Sequence, residues 1–264
     1  MNESFLRKLM EAKAERIESA KRDVGLGQIR DMALAASSGR ESYCLFKALS
    51  NSDGTNIIAE FKRASPSKGV INDGRDVVKT AKQYEVGGAC AMSVLTEEDF
   101  FQGSLDDLRE VRSAVDIPVL RKDFTIDKYQ VYEAASAGAD AVLLIVTALA
   151  PEELQRFHAA AHKLGLDAVV EVHNPSELEI ARSIGATIIG VNNRNLKTFE
   201  VSLDVSRELI KHKPDGCLMI SESGITSIDE IQELKALGFD GFLIGETLMR
   251  SGDPTAELKK LAAN

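Results

Sequence analysis

The sequence has 264 residues, enough for one large domain or two modest ones, and its apolar (44%) and charged (28%) shares are ordinary for a globular protein. The net charge of -9 and the isoelectric point near 5.1 argue against a general nucleic-acid-binding or anionic-membrane surface. No apolar run approaches the roughly 18 residues of a membrane span, and the widely spaced Cys44, Cys90 and Cys217 are typical of reduced thiols in a cytoplasmic protein.

The first 54 residues have helical character and differ from the rest of the chain. Phe5–Arg22 carries apolar residues at near-helical spacing, and a second helix is predicted around Leu26–Ala36, followed by a loop rich in Ser and Gly. The apolar stripe of such a helix needs a surface that covers it. We therefore expect residues 1–54 to be a helical extension packed on a barrel of residues 55–264, and not a domain of its own.

From residue 55 onward, short apolar runs alternate with amphipathic segments. This alternation predicts parallel strands joined by right-handed crossovers, and eight such units favour a closed (β/α)8 TIM barrel over an open sheet. Glycine recurs where predicted helices end, as in Ala137-Gly138-Ala139, because it adopts the left-handed conformation at little cost. The predicted strands are Asn56–Phe61, Ala89–Val94, Pro118–Arg121, Ala141–Ile145, Ala168–Val172, Ile188–Val191, Leu218–Ser221 and Gly241–Ile244. The predicted helices are Arg75–Val86, Leu105–Ala114, Lys128–Ala137, Pro151–Leu164, Pro175–Ile184, Val205–Ile210 and Ser227–Leu237.

Several predicted strands end in charged side chains, which are costly to bury in a barrel core. In barrel enzymes the catalytic groups come from these strand ends and from the loops that follow. Because side chains alternate along a strand, Glu60 shares a face with the apolar residue two positions before it, and so do Lys122, Glu171 and Glu222. We expect these four side chains to form one ring above an apolar floor, with Lys62 just above it. Mutual charge and partial burial then shift pKa values toward neutrality, as acid–base catalysis requires.

The ends of the last two strands differ in composition. Ser223-Gly224 and Gly245-Glu246 place glycine at strand-to-helix turns, where such barrels frequently bind phosphate through backbone N–H groups. Glycine also serves turn geometry alone, so a purely structural role stays open. A phosphate role requires that Glu246 binds through its backbone and turns its carboxylate away.

The histidines do not form a metal motif. His158 and His162 have helical i, i+4 spacing but lack the glutamate of HExxH, and we expect His173 in a loop near the pocket mouth. The sequence contains no dinucleotide, P-loop or Cys/His metal motif. Neither a cofactor nor a metal is therefore expected.

Six segments together resemble one enzyme family. They are Ile58–Gly69, Ser93–Ser104, Arg121–Phe124, Val170–His173, Gly190–Leu196 and Ser221–Ile225. The chain resembles indole-3-glycerol-phosphate synthase over its whole length, including the helical N-terminus. The resemblance implies a lyase of tryptophan biosynthesis that uses no cofactor or metal. Its substrate would be 1-(2-carboxyphenylamino)-1-deoxyribulose 5-phosphate, whose indole ring closes with loss of carbon dioxide and water.

The resemblance also implies roles for individual residues. Lys122 is the expected acid and Glu171 the expected base, while Glu60 supports proton transfer and Lys62 engages the substrate carboxylate. Which lysine is the acid in each step stays open. Asn192 and Glu222 are expected to bind substrate hydroxyls or to hold the lysines. The other implied contacts are Arg194 at the anthranilate carboxylate, Phe101, Phe124, Leu144 and Leu243 around the aromatic ring, and Ser65, Ser223, Gly224, Gly245 and Glu246 at the phosphate. For the two leucines, ordinary core packing is an equal alternative.

Two rival functions stay open. A partly desolvated Lys122 is also the kind of nucleophile that a Schiff-base aldolase uses, and a barrel can bind a sugar phosphate without catalysis. We expect a cytoplasmic monomer that acts on a small phosphorylated substrate, without nucleic-acid or membrane partners. The loop Arg63–Gly74 carries Lys68 and is expected to close over the substrate.

Overall fold

Among the described residues, three helices precede the first barrel strand. The computed structural model describes residues 3–50 and 54–263. Residues 1, 2 and 51–53 of the predicted extension and residue 264 of the predicted barrel lie outside the described residues. The helices are α1 (Glu3–Asp23), α2 (Leu26–Ser37) and α3 (Cys44–Leu49). The sequence pattern does not predict α3, because its 6 residues are too few to show a helical period.

Eight parallel strands close into a barrel, with the first strand paired to the last as well as to the second. The strands are β1 (Ile57–Phe61), β2 (Ala91–Leu95), β3 (Val119–Lys122), β4 (Ala141–Ile145), β5 (Asp167–Val172), β6 (Ile188–Asn192), β7 (Leu218–Glu222) and β8 (Gly241–Ile244). All eight predicted strands are present, with small shifts at their ends. The predicted (β/α)8 TIM barrel is therefore confirmed.

Helices follow the strands and form the outer layer. They are α4 (Val77–Val86), α5 (Leu105–Ala114), α6 (Lys128–Ser136), α7 (Pro151–Lys163), α8 (Pro175–Ser183), α9 (Asp204–Leu209), α10 (Ile228–Leu237), α11 (Glu246–Arg250) and α12 (Pro254–Leu261), with 3-10 turns at Val146–Ala148 and Ile210–His212. Gly138 (φ 90°) and Gly238 (φ 112°) adopt the predicted left-handed conformation after α6 and α10. Among the described residues, no helix is both long and apolar enough to cross a membrane.

The strands separate two apolar layers. Ile58, Leu120, Leu143 and Val169 belong to the cluster inside the barrel, whereas Leu144 belongs to the cluster between the strands and the helices. Side chains of neighbouring residues in a strand point to opposite faces. The expectation that Leu144 contacts the aromatic ring of a substrate is therefore wrong, because only its neighbours face the interior.

The carboxyl end of the barrel is covered by two features. After β1, Ala64–Ser65 pairs antiparallel with Gly69–Val70, a short hairpin that the sequence pattern does not predict. From α1, the Phe5 ring packs edge-on against Phe100 at 5.0 Å and Phe199 at 5.3 Å between centroids. The N-terminal helix thus lies over the end of the barrel where the polar strand ends meet.

Candidate active site

A cavity of about 850 Å³ opens at the carboxyl ends of the strands. Its lining includes every site residue expected from the sequence except Leu144, whose place is taken by Leu143 and Ile145 of β4. Those residues are Glu60, Lys62, Ser65, Phe101, Lys122, Phe124, Glu171, Asn192, Arg194, Glu222, Ser223, Gly224, Leu243, Gly245 and Glu246. The structure also adds Phe5 and Leu6 of α1, which the sequence pattern does not assign to a site.

Lys122 lies at the centre of the charged ring. Its Nζ is 3.4 Å from Glu171 Oε2 and 3.4 Å from Glu222 Oε2, and all three side chains are largely buried. Strand parity positions them, because Lys122 and Glu222 are the last residues of β3 and β7 and Glu171 is the last inward residue of β5. One ammonium group therefore lies between two carboxylates above an apolar floor.

The ring keeps Lys122 charged. Burial lowers the pKa of its ammonium, but the negative charges of Glu171, Glu222 and Glu60 outweigh burial and raise that pKa above its ordinary value. A Schiff-base nucleophile must be a neutral amine. The surroundings of Lys122 therefore suit a proton donor and oppose the nucleophile of an aldolase.

The two carboxylates beside Lys122 differ in their ionisation. Burial and the neighbouring charges of Glu171 and Glu60 raise the pKa of Glu222 to about 7, despite the opposing charge of Lys122. Burial also disfavours ionised Glu171, but Lys122 and His173 outweigh it and hold the pKa of that carboxyl below its usual range. Two acids with separated pKa values can act as a proton acceptor and as a hydrogen-bond donor in one site.

Glu60 and Lys62 form the second charged pair of the site. Lys62 Nζ donates to Glu60 Oε1 at 2.5 Å, so the two side chains form an ion pair at the end of β1. A Cβ atom at Gly245 would overlap Glu60 Oε1. Gly245 is thus needed for space beside Glu60, in addition to its place before α11.

The sequence pattern misses two neighbours of the ring. Gly190 of β6 leaves room for Glu222, since a Cβ atom there would overlap Glu222 Oε1. His173, expected only as a loop residue near the mouth, directs Nε2 toward Glu171 Oε1 at 3.3 Å. A small residue at an inward strand position and a histidine two residues after a catalytic candidate are the signals that could have found them.

The expected phosphate end has two consecutive left-handed residues, Ser223 (φ 69°) and Gly224 (φ 84°). The Glu246 carboxylate accepts a hydrogen bond from Arg250 Nε at 3.0 Å and lies 4.0 Å from Lys68 Nζ. Its charge is therefore engaged by cations, which is the arrangement that a backbone phosphate contact at Glu246 requires.

The other end of the cavity is aromatic and cationic. The rings of Phe101 and Phe124 lie 6.3 Å apart between centroids, tilted by 40°. Arg194 Nη1 donates to Ser67 Oγ at 3.1 Å and to Phe199 O at 3.2 Å, which joins the loops after β1 and β6. The cavity thus offers an apolar slot beside a guanidinium group.

Known proteins resemble the chain over nearly its full length. The sequence model described as indole-3-glycerol phosphate synthase matches residues 6–261. A protein of that name from Streptococcus pneumoniae is 47% identical over 99% of this chain and 98% of its own, and one from Neisseria meningitidis is 45% identical over 97% and 98%.

Among solved structures, 3-hexulose-6-phosphate synthase from Salmonella typhimurium has a TM-score of 0.65, covering 78% of this chain and 96% of that one at 15% identity. At that identity the likeness concerns the barrel fold alone. The match to the family model and the relatives at 45% and 47% identity are decisive: the chain belongs to the indole-3-glycerol-phosphate synthase family, the carboxy-lyases of tryptophan biosynthesis.

Proposed function

We propose that this chain closes the indole ring of 1-(2-carboxyphenylamino)-1-deoxyribulose 5-phosphate, releasing carbon dioxide and water, with Lys122 as the general acid and Glu171 as the general base. The observation that carries the proposal is the Lys122 ammonium held 3.4 Å from both Glu171 and Glu222. A charged donor and an ionised acceptor are the two groups that this reaction needs in one place.

The first step forms the carbon–carbon bond. The aromatic carbon that bears the carboxylate attacks the substrate ketone, and the ketone oxygen gains negative charge. Lys122 stabilises that charge and delivers a proton, which leaves a hydroxyl on the new ring. Loss of carbon dioxide then restores the aromatic ring, since the electron pair of the broken bond returns to it.

The second stage removes water. The hydroxyl leaves with a proton from an acid, and the lone pair of the ring nitrogen assists its departure. Glu171 accepts the proton that the ring precursor loses when the indole double bond forms. Lys62, paired with Glu60, and Lys122 are both within the cavity as acids for this stage. Glu222, with a pKa near 7, supplies a hydrogen bond to a substrate hydroxyl, as does Asn192.

Substrate binding divides between the two ends of the cavity. We assign the phosphate to Ser65, Ser223, Gly224, Gly245 and the backbone of Glu246. The anthranilate ring is assigned to the slot of Phe101, Phe124 and Leu243, with Leu143 in place of Leu144, and its carboxylate to Lys62 and Arg194. This placement puts the ketone carbon above the ring of charged residues, between the two ends.

We also propose that residues 1–54 and 55–264 are one unit, a helical extension packed on a catalytic barrel, which acts as a cytoplasmic monomer. The contacts of Phe5 with Phe100 and Phe199 support the packing, and the free thiols Cys44, Cys90 and Cys217 suit a reducing compartment. Light scattering should give a mass near 28.7 kDa for the purified protein. A larger mass would contradict the monomer.

The function is tested by adding the carboxyphenylamino-deoxyribulose phosphate to purified protein and recording indole fluorescence. We expect Lys122→Ala to lower kcat by about 1,000-fold or more, because it removes the acid and the charge that stabilises the alkoxide. The matched control is Lys259→Ala, an exposed position on α12, which should leave kcat unchanged. Circular dichroism should show both variants folded.

Two outcomes would contradict the proposal. An unchanged kcat for Lys122→Ala would exclude Lys122 as the acid and favour a barrel that only binds a sugar phosphate. Trapping of a substrate adduct on Lys122 by borohydride would favour the Schiff-base mechanism, which requires a covalent bond that the acid–base mechanism does not form.

A further inference from the structure

His173 lies between two carboxylates at the end of β5. Its Nε2 is 3.3 Å from Glu171 Oε1, and its Nδ1 is 3.0 Å from Glu177 Oε2. A neutral imidazole carries a proton on only one nitrogen, so it can donate to only one of the two acids. The protonated imidazolium donates to Glu177 through Nδ1 and places its Nε2 at ion-pair distance from Glu171, without the alignment of a hydrogen bond. A carboxylate beside each nitrogen therefore favours a positive charge on His173.

The local sequence holds His173 in this place. Asn174 is the N-cap of α8, with Oδ1 accepting from Glu177 N at 3.0 Å, and Pro175 follows at the first helical position. Glu177 returns toward the cap: its Oε1 accepts from Asn174 Nδ2 at 2.7 Å and its Oε2 from His173 N at 2.8 Å. The carboxylate of Glu177 is thus fixed by three contacts, which include the histidine ring.

Glu171 is held by one cation on each oxygen. Oε2 faces Lys122 at 3.4 Å and Oε1 faces His173 at 3.3 Å, and the carboxylate itself is 2% exposed. In the proposed mechanism Lys122 becomes neutral when it delivers its proton. At that moment His173 is, among the described residues, the one positive charge that remains in contact with Glu171. A buried carboxylate without a counter-charge takes up a proton.

Other charged groups surround His173 at a greater distance. A second cavity, of about 970 Å³, opens on the histidine from the side of α1. The further ionisable residues on its lining are Arg7 and Glu11 of α1 and Arg194, Lys197 and Glu200 of the segment after β6. Among the described residues, the ion-pair contacts of His173 within 4.0 Å are those with Glu171 and Glu177. Burial lowers the pKa of His173, but these two carboxylates outweigh it and raise that pKa to about 10.

We propose that His173 is a positioning residue for the reaction: its imidazolium keeps Glu171 ionised, and turned with one oxygen toward Lys122, while the proton of Lys122 is on the substrate. Glu177 supports this role by fixing the histidine. The inference rests on the proposed function, because it needs Glu171 as the base.

The test is the pH dependence of kcat, which reports ionisations in the enzyme–substrate complex. His173→Gln keeps a hydrogen-bonding group and removes the charge. We expect the acid limb of the profile to move up by about one pH unit or more, since an opposite charge at this distance lowers a carboxyl pKa by about that amount. On that limb, at pH values below the wild-type midpoint, activity should fall about tenfold relative to the wild type, with KM unchanged.

The chain offers a matched control in His212, which has the same i, i+4 spacing to an acid, with Nε2 at 3.8 Å from Glu208 Oε1 on the surface. His212→Gln should reproduce the wild-type profile. Glu177→Gln should move the acid limb in the same direction as His173→Gln, because it weakens the charge on the histidine. If His173→Gln does not fold, Glu177→Gln carries the test, since its amide retains an oxygen for the N–H of His173.

Glu171→Gln separates this inference from the proposed function. If that variant retains kcat, Glu171 is not the base and both ideas fail. If Glu171→Gln is inactive while His173→Gln keeps the wild-type acid limb, the function stands and the role of His173 is overturned. A uniform loss of kcat in His173→Gln, with no shift of the limb, would also overturn it.

Discussion

Two glycines set the space that two active-site carboxylates occupy. Gly190 of β6 lies against Glu222 Oε1, and Gly245 lies against Glu60 Oε1. Neither has a positive φ, so a left-handed backbone is not the reason for glycine at these positions. The requirement is room for an acid side chain that reaches across from a neighbouring strand.

Gly190→Ala should therefore displace Glu222 from Lys122. We expect kcat to fall about tenfold or more, because the Glu222 contact at 3.4 Å is lost, and stability to fall by about 1–3 kcal/mol from overpacking against Val169. The measurements are the fluorescence assay and urea unfolding. Gly27→Ala on α2 is the control, since nothing lies within 4 Å of its added Cβ. Wild-type kcat in Gly190→Ala would show that Glu222 has no fixed position in catalysis.

Strand parity predicted the ring of Glu60, Lys122, Glu171 and Glu222 because one period of two residues decides which side chains face inward. The same parity, counted along β4 from Ala141, places Leu143 inside, so the assignment of Leu144 was wrong for a reason visible in the sequence. His173 is a different case. Its contact with Glu171 depends on the turn before α8 and on Glu177, which a strand period does not describe.

At the scale of elements, a buried ion pair joins α1 to the residue that follows β3. Lys13 is 3% exposed, and its Nζ lies 2.9 Å from Asp123 Oδ1 and 2.9 Å from Glu98 Oε2. Asp123 directly follows Lys122, and Thr96 Oγ1 and Arg121 Nη2 also donate to it. The N-terminal helix is thus coupled through one side chain to the strand that carries the proposed acid.

Lys13→Met should destabilise the protein by about 3 kcal/mol, because the loss of one partner leaves buried Asp123 with less compensation. Burial raises the pKa of Asp123, but Arg121 and Lys13 outweigh it and lower that pKa. A lowered folded-state pKa gives stability above the unfolded value that is lost as pH falls. The variant should therefore unfold at a higher pH on acidification, measured by circular dichroism. Exposed Lys8→Met is the control, and an unchanged acid midpoint would contradict the role of the pair.

The amphipathic helices and apolar strands were predictable as elements, because their periods extend over many residues. The exceptions are short. The helix Cys44–Leu49 and the hairpin of Ala64–Ser65 with Gly69–Val70 contain too few residues to show a period, and long-range partners stabilise them. Phe46 N, for example, donates to Asp167 Oδ2 of β5 at 3.0 Å. The place of α1 over the cavity likewise depends on partners distant in sequence.

Across the whole molecule, chemistry and stability occupy opposite ends of the barrel, as is usual for this fold. At the amino end, the aspartate that precedes β4 and the aspartate that precedes β8 make the same contact. Each accepts a hydrogen bond from the backbone of the preceding strand. Asp140 Oδ2 accepts from Val119 N at 2.8 Å, and Asp240 Oδ2 accepts from Met219 N at 2.6 Å. Each carboxylate thus satisfies the N–H of the preceding strand and adds a salt bridge.

The two aspartates differ in their burial and in the number of their cationic partners. We therefore expect them to contribute unequally to the stability of the whole barrel. Asp140 is 7% exposed and lies 2.7 Å from both Arg40 and Arg112, whereas the Asp240 side chain is 23% exposed and pairs with Lys213 alone at 2.6 Å, among the described residues. We expect Asp140→Asn to lower the free energy of unfolding by about 3 kcal/mol. Asp240→Asn should lower it by about 1 kcal/mol.

Urea unfolding of the two variants, followed by circular dichroism, measures this difference in the free energy of unfolding. The indole fluorescence assay measures kcat of the same two variants. Because Arg40 and Arg112 come from the N-terminal extension and from α5, Asp140 joins three parts of the chain, while Asp240 joins two. Equal losses of stability would mean that the extension adds nothing through Arg40. A fall of kcat in either variant would mean that the amino end of the barrel also sets the geometry of the ring of Lys122, Glu171 and Glu222.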